Sequence, residues 1–246
     1  MLKKNSVGSE VRLLSRNLKA LGYYSGPLLS TFDNALLKAV KAFQMQNADA
    51  ENRPLVVDGI VGPVTEWAIQ RKLGNATIRP SAPASLNMPA AGASATARGA
   101  LNVALAEMMA GNGEVGGNNM GPHVRKYLNG IIAPPADWCA GFVSFCFKNS
   151  GHPMPFKYTL GARDLLRQMR SRGFGATPSD ANPPLPGDII VWWRGSPSGW
   201  QGHVGIVHSY ANGLVRTIEG NKTPKVNSFV YTLRSIDRLL GFARAP

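Results

Sequence analysis

A stretch without charge divides this chain of 246 residues into two parts. No charged side chain occurs between Arg79 and Arg98, and the segment consists mainly of alanine, serine and proline. It has no helical or strand periodicity, and its composition is typical of a linker. We therefore predict a first domain at residues 1–79, a linker at residues 80–97 and a second domain at residues 98–246.

The chain is strongly basic, with a formal net charge of +13. This balance favours anionic partners, such as an anionic cell envelope. The charge is scattered, with 11 basic and 6 acidic residues in 1–79 and 16 and 8 in 98–246. Because no zinc-finger, basic-zipper or ribonucleoprotein motif accompanies it, we expect no binding to nucleic acid. No run approaches 18 apolar residues, so we expect no stable membrane insertion.

Apolar residues at helical spacing predict three helices in the first part. Asp33 is the predicted cap of the second helix, and Pro63 the predicted first residue of the third. Gly22 and Gly74 are suited to end the first and third helices. The predicted inward residues are Val11, Leu14, Leu18 and Leu21 in the first helix, Leu36, Leu37, Val40 and Phe43 in the second, and Val64, Trp67 and Ala68 in the third.

Residues 22–26 and 57–65 of this part each lead through a loop into a helix and form a faint internal repeat. Three motifs are also present: the Leu-Gly-Tyr-Tyr-Ser-Gly turn at 21–26, Ala-Phe-Gln at 42–44, and Asp-Gly-Ile-Val-Gly-Pro-Val-Thr at 58–65. At these residues the part resembles the small three-helix peptidoglycan-binding domain of bacterial and phage wall hydrolases. The resemblance implies peptidoglycan as partner, and it implies wall-binding loops that include Tyr23, Tyr24, Asp58, Gly59 and Thr65.

The second part contains a cysteine at the predicted start of an apolar helix. Phe142, Val143 and Cys146 follow Cys139 at helical spacing, and prolines 134 and 135 exclude an earlier start. Unpaired N–H groups and the helix dipole at such a position favour the thiolate, which is the nucleophile that amide attack requires. We therefore predict that Cys139 is a nucleophile, and that Asp137 caps the helix.

The two cysteines are predicted to be thiols. Seven residues on one helix separate Cys139 from Cys146 by about 10 Å, whereas a disulfide needs Cα atoms within about 7 Å. Cys146 lies in the middle of the helix and is expected to be a core residue. Two cysteines at this spacing do not match zinc ligands, so we expect no metal and no cofactor.

Strand patterns downstream contain a candidate base. His203 lies among small and β-branched residues, with glycines on both sides that we interpret as room for a substrate. A further predicted strand ends in Glu219 and Asn221, which share a face and differ by two positions. Either side chain is suited to orient the His203 ring, and the sequence leaves both open.

The register of these two strands is constrained by parity. Side chains alternate between faces, and paired residues share a face. The Asn212–Gly213 pair favours a two-residue turn, but a regular turn there would direct Glu219 away from His203. We therefore predict an odd-length connection or a bulge near Ser209–Gly213.

In the order Cys, Pro-Gly-Asp, Gly-His and Glu-Gly-Asn, these residues resemble the cysteine- and histidine-dependent amidohydrolase/peptidase (CHAP) family. The resemblance implies an α+β fold of papain-like type, with a nucleophile helix packed on an antiparallel sheet. It implies Cys139 as nucleophile, His203 as base and then acid, Glu219 as orienter, and Asn221 as an aid to the ring or the oxyanion. It also implies hydrolysis of a peptidoglycan amide, with an N-acetylmuramoyl-L-alanine amidase favoured over a peptide endopeptidase.

The biological setting remains open at this stage. No apolar core of a signal peptide follows Lys3 and Lys4, so we expect synthesis in the cytoplasm and action on the wall or in the periplasm after release or injection. A phage endolysin is favoured, because a separate wall-binding module suits a soluble lysin. The alternatives are an injected antibacterial toxin, a non-catalytic wall-binding or virion structural protein, and an acyltransferase that uses the same thiol.

Overall fold

The computed structural model describes most of the chain, namely residues 1–49, 55–74, 94–179 and 181–246. These residues form two compact units that divide near residue 80. Of the predicted linker, residues 80–93 lie outside the described residues. Its last residues are helical, because Ser94 accepts the backbone N–H of Ala97 at 3.1 Å and caps a helix that begins at Ala95.

The first unit contains three helices, as predicted: α1 (Ser9–Ala20), α2 (Asn34–Gln46) and α3 (Pro63–Lys72). The predicted cap is confirmed, because the Asp33 carboxylate accepts the backbone N–H of Leu36 at 2.8 Å. Pro63 is the first residue of α3, where its missing N–H costs no hydrogen bond. The buried apolar core of the unit includes Val11, Leu14, Leu18, Phe32, Leu36, Val40, Phe43, Val61 and Ile69.

One predicted inward residue of the first unit is wrong. Val64 is exposed, whereas Thr65, Ala68 and Ile69 are buried. Positions 65, 68 and 69 have the i, i+3, i+4 spacing of one helical face. Val64 lies about 100° from Thr65 around the helix, since an α-helix has 3.6 residues per turn.

The second unit combines four helices with a six-stranded antiparallel sheet whose strand order differs from the chain order. The predicted α+β class is confirmed. The helices are α4 (Ala95–Met109), α5 (Pro122–Leu128), α6 (Cys139–Lys148) and α7 (Ala162–Ser171). The strands are β1 (Gly175–Ala176), β2 (Ile189–Trp193), β3 (Gly202–Ala211), β4 (Leu214–Glu219), β5 (Asn227–Thr232) and β6 (Leu239–Ala243). Their order across the sheet is β1-β6-β2-β3-β4-β5, and every neighbouring pair is antiparallel.

The two faces of the sheet bury different cores. One face packs against α4, α6 and α7 through Ile189, Val191, Val204, Ile206 and Ile218. The other face carries a second core of Ile190, Trp192, Val207, Val215, Tyr231 and Phe242. His203 pairs with Trp192 across β2 and β3, so its side chain lies on the second face.

The β3–β4 hairpin contains the predicted irregularity. Ala211 pairs with Leu214 around a two-residue turn, and the register shifts between Val207 and Ser209. The extra residue is therefore His208, immediately before the predicted stretch. The bulge alternative is confirmed and the odd-length connection is wrong, because one bulged residue restores the parity that the two-residue turn removes.

The described helices include none that is both long enough and apolar enough to cross a membrane.

Candidate active site

The candidate nucleophile is the first residue of α6, as predicted. Trp138 is the N-cap, and its carbonyl accepts the backbone N–H of Phe142 at 2.7 Å. The prediction that Asp137 caps the helix is wrong. Its Oδ1 instead accepts the side-chain amides of Asn119 and Asn221, each at 3.3 Å.

The two cysteines of α6 differ in accessibility and acidity. Both are thiols. Cys139 keeps 7% of its surface exposed, whereas Cys146 keeps none. Burial, and then the negative charge of Glu107, raise the pKa of Cys146 well above its usual range. Cys146 therefore stays protonated in the core, as expected, and Cys139 is the thiol of α6 that keeps exposed surface.

The candidate base and one candidate orienter form a buried pair. His203 Nε2 lies 2.8 Å from Glu219 Oε2, and both side chains are almost fully enclosed. Burial opposes the charge of Glu219, but the charge of Lys222 and the hydrogen bond from His203 outweigh it and lower its pKa to about 2. The carboxylate therefore only accepts, so Nε2 carries the proton. In the neutral ring, Nδ1 is then the nitrogen that can accept a proton.

Three further side chains lie against the two oxygens of the carboxylate. Glu219 Oε1 accepts the hydroxyl of Thr217 at 2.5 Å and that of Tyr231 at 2.7 Å. Lys222 Nζ lies 3.8 Å from Glu219 Oε2. Sequence reasoning missed these three residues. The sequence could have indicated Thr217, because this residue precedes Glu219 by two positions and lies on the same face of the strand. Tyr231 comes from another strand and gives no such signal.

The glycine two positions after His203 serves the pair and leaves no room for a substrate. A Cβ atom on Gly205 would lie 2.6 Å from Cγ of Glu219, which crosses β3 at this point to reach the imidazole. Gly202 is half-buried, and its Cβ would lie 3.2 Å from Cβ of Ala162 on α7. The interpretation of these glycines as substrate space is therefore wrong at Gly205 and stays a prediction at Gly202.

Asn221 does not extend the strand face of Glu219, because β4 ends at Glu219 and Asn221 has a left-handed φ of 62°. Its Nδ2 binds Asp137, and within the described residues its buried Oδ1 has no hydrogen-bond partner. Gly220 packs against the Trp138 ring, where a Cβ would lie 2.5 Å from Cζ3. These contacts bring the residues that flank Cys139 against those that flank Glu219.

The first predicted wall-binding turn is held from within its own unit. The hydroxyl of Tyr24 donates to the carbonyl of Pro27 at 2.9 Å, and the ring is buried. Tyr23 is half-buried, packs edge-on against Phe43 and accepts the Asn47 amide at 3.0 Å. Tyr24 therefore shapes the turn, whereas Tyr23 keeps a partly exposed ring, and contact of either residue with the wall stays a prediction.

The second predicted wall-binding loop is organised by a buried glutamine. Gln44 Nε2 donates to Asp58 Oδ1 at 2.8 Å and to Thr65 Oγ1 at 3.2 Å, and its Oε1 accepts the N–H of Gly59 at 2.8 Å. Gly59 and Thr65 are buried, whereas Asp58 is exposed. Burial shows that Gly59 and Thr65 shape the loop, and the expectation that the loop contacts the wall stays a prediction.

No group of three or more His, Cys, Asp or Glu side chains that could hold a metal ion occurs in the described part of the chain.

The comparison with protein families agrees with this geometry. Residues 132–221 match the CHAP domain, and residues 7–69 match the putative peptidoglycan binding domain. No curated protein matches the chain.

The chain is thus a modular protein that joins a peptidoglycan-binding domain to a CHAP domain. This pair of domains supports a peptidoglycan hydrolase, an activity that is generally cysteine- and histidine-dependent in CHAP domains.

The close approach at Gly205 generates a prediction. Gly205→Ala should displace Glu219 from His203 and lower the rate of peptidoglycan solubilisation about 100-fold, since a shift of roughly 1 Å in a catalytic group costs that much. Turbidity loss of purified sacculi measures the rate. Gly175→Ala on the same sheet is the control, because its Cβ would meet only the flexible Arg170 side chain. Wild-type rate in Gly205→Ala would contradict the assigned role of Glu219.

Proposed function

We propose that the protein hydrolyses an amide bond of peptidoglycan through a covalent thioester on Cys139. The observation that carries the proposal is the buried His203–Glu219 pair, with Nε2 and Oε2 2.8 Å apart. It lies at the open end of the β3–β4 hairpin, where Gly220 packs against Trp138 beside Cys139. A thiol, an imidazole and a carboxylate in this order have the roles of a nucleophile, a base and an orienter.

In the first half-reaction, Nδ1 of His203 takes the proton of Cys139. The thiolate attacks the carbonyl carbon of the amide, and a tetrahedral intermediate forms. When it collapses, the C–N bond breaks and the imidazolium gives its proton to the leaving amine. Glu219 keeps the ring oriented and stabilises its positive charge throughout.

The start of α6 is suited to hold the oxyanion of this intermediate. The first N–H groups of an α-helix have no carbonyl partner within the helix, and the helix dipole favours negative charge there. Donors fixed in this way stabilise the charge that develops on the carbonyl oxygen. The same field favours the Cys139 thiolate.

In the second half-reaction, water hydrolyses the thioester. Nδ1 of His203 takes a proton from the water, whose oxygen attacks the acyl carbon. The C–S bond then breaks, the thiolate of Cys139 recovers a proton, and a carboxylic acid leaves.

We propose the bond between N-acetylmuramic acid and L-alanine as the one cleaved, following the resemblance to amidases of this type. Wild-type protein should then release stem peptides with a new N-terminal alanine, as measured by mass spectrometry of digested sacculi. Cys139→Ser should release none, because loss of a nucleophile costs many powers of ten in rate.

Cys146→Ser is the matched control for that experiment, since Cys146 lies on the same helix with no exposed surface. It should lower the melting temperature more than the turnover. More than about 10% of wild-type rate in Cys139→Ser would overturn the mechanism. New termini within the stem peptide or crossbridge would replace the amidase assignment by an endopeptidase.

We propose that the first unit holds the wall in a groove between α1 and the start of α3. The groove has a volume of about 360 Å³. Its lining is apolar at Leu13, Leu14 and Val61 and acidic at Glu10 and Glu66. Apolar walls suit the methyl groups of alanine, and carboxylates suit an ammonium group, so a stem peptide has the chemistry to fit it.

Two leucines allow a matched test of the groove. Leu13 lies in it and Leu29 is not among its lining residues, and both are 43% exposed. Leu13→Gln should raise the apparent Kd for insoluble sacculi about ten-fold. This corresponds to a loss of about 1.4 kcal/mol of binding free energy, slightly less than full burial of a leucine side chain contributes. Leu29→Gln should leave it unchanged. Cosedimentation measures both, and equal effects of the two variants would exclude the groove.

We propose that the protein acts as an endolysin, reaching the wall from the cytoplasm once the inner membrane is opened. The union of a wall-binding domain with a hydrolase domain suits this task. Expression inside a susceptible bacterium should cause lysis only when a pore-forming protein is expressed with it. Lysis without membrane opening would contradict the proposal, and an injected toxin would need its delivery system for the same effect.

A further inference from the structure

The second unit buries a lysine beside the candidate active site. Lys222 follows β4, and 1% of its surface is exposed. Its Nζ donates to the hydroxyl of Tyr231 and lies 4.0 Å from the centre of the Phe229 ring. Lysine is almost never fully buried without a partner of opposite charge. The partner in this case is Glu219, whose Oε2 lies 3.8 Å from the ammonium.

The oxygen that faces Lys222 is the one that binds the candidate base. Glu219 Oε2 accepts His203 Nε2 at 2.8 Å, and its companion Oε1 accepts the hydroxyl of Tyr231 at 2.7 Å. The titratable groups that face the carboxylate are therefore His203 on β3, Tyr231 on β5 and Lys222 after β4. At rest, the positive charge of Lys222 balances the negative charge of Glu219.

This balance matters because a lone carboxylate has two effects on a neighbouring imidazole. It orients the ring, and it also favours the protonated form. A base that holds its proton too strongly transfers it poorly to a leaving group. A second cation beside the carboxylate reduces the second effect without removing the hydrogen bond.

We propose that Lys222 is a positioning residue of the site: its buried ammonium neutralises Glu219, so that the carboxylate orients His203 without locking a proton on the ring. The inference rests on the proposed roles of Cys139 and His203. It is supported by the depressed pKa of Glu219. Burial alone would raise this pKa, and the charge of Lys222 is the foremost of the contributions that lower it.

The sign of the expected effect follows from charge alone. Loss of a positive charge raises the pKa of every acid near it, whether thiol or imidazolium. Neutral substitution of Lys222 should therefore move the pH dependence of Cys139 reactivity towards higher pH. The expected displacement is about one pH unit, the lower end of the range for a neighbouring charge.

The experiment measures alkylation of the full-length protein by iodoacetamide across pH, with mass spectrometry resolving each cysteine. Lys222→Met and Lys222→Gln remove the charge, and Lys222→Arg retains it. The two neutral variants should shift the Cys139 profile upwards by about one pH unit, whereas Lys222→Arg should follow the wild type. Labelling of the fully buried Cys146 reports unfolding in every variant.

The outcomes separate this inference from the proposed function. A wild-type Cys139 profile that His203→Ala leaves unchanged would overturn the catalytic assignment itself. The second outcome concerns Lys222 alone. If His203→Ala changes the Cys139 profile but the folded Lys222→Met and Lys222→Gln variants keep the wild-type profile, the role of Lys222 is overturned and the catalytic assignment stands. Labelling of Cys146 in both neutral variants would also overturn it, and would assign the lysine to folding.

Discussion

The structure of the second unit depends on one buried carboxylate. An ionised group enclosed in protein is stable only when donors and opposite charges replace its water. Glu219 receives them from three strands and the loop after its own: His203 on β3, Thr217 on β4, Tyr231 on β5, and Lys222. Removing one partner of a buried pair costs about 3–5 kcal/mol. The contacts of Glu219 that orient the candidate base therefore also hold β3, β4 and β5 in place.

The backbone makes this arrangement possible at two positions. Gly205 leaves the space that the Glu219 side chain occupies on its way to His203. The bulge at His208 allows the hairpin to keep its favoured Asn212–Gly213 turn, in which both residues have positive φ, while both functional side chains stay on one face. The need for His203 and Glu219 to share one face at the open end of the hairpin is thus met by a bulge at His208, closer to the turn.

What the sequence predicted well follows from local rules. Parity required either an odd-length connection or a bulge, and the bulge is the one that forms. Helical spacing placed Cys139 at a helix start, and a short polar side chain before an apolar helix identified the Asp33 cap. What it missed depends on distant packing. A lysine after a strand is ordinarily solvated, and only the aromatic rings of β5 show that Lys222 is enclosed. Tyr24 resembled a ligand contact, but its hydroxyl is used inside its own turn.

The two thiols show how position alone separates chemistry in such a fold. Cys139 and Cys146 share one helix and differ by seven residues. The first lies where the helix dipole and the terminal N–H groups favour an anion, and it retains some exposed surface. The second lies in the core, where burial raises its pKa and keeps it neutral. The first residue of α6 therefore combines a helix terminus with some exposed surface, whereas Cys146 only packs, and the candidate nucleophile is the thiol at the point where α6 begins.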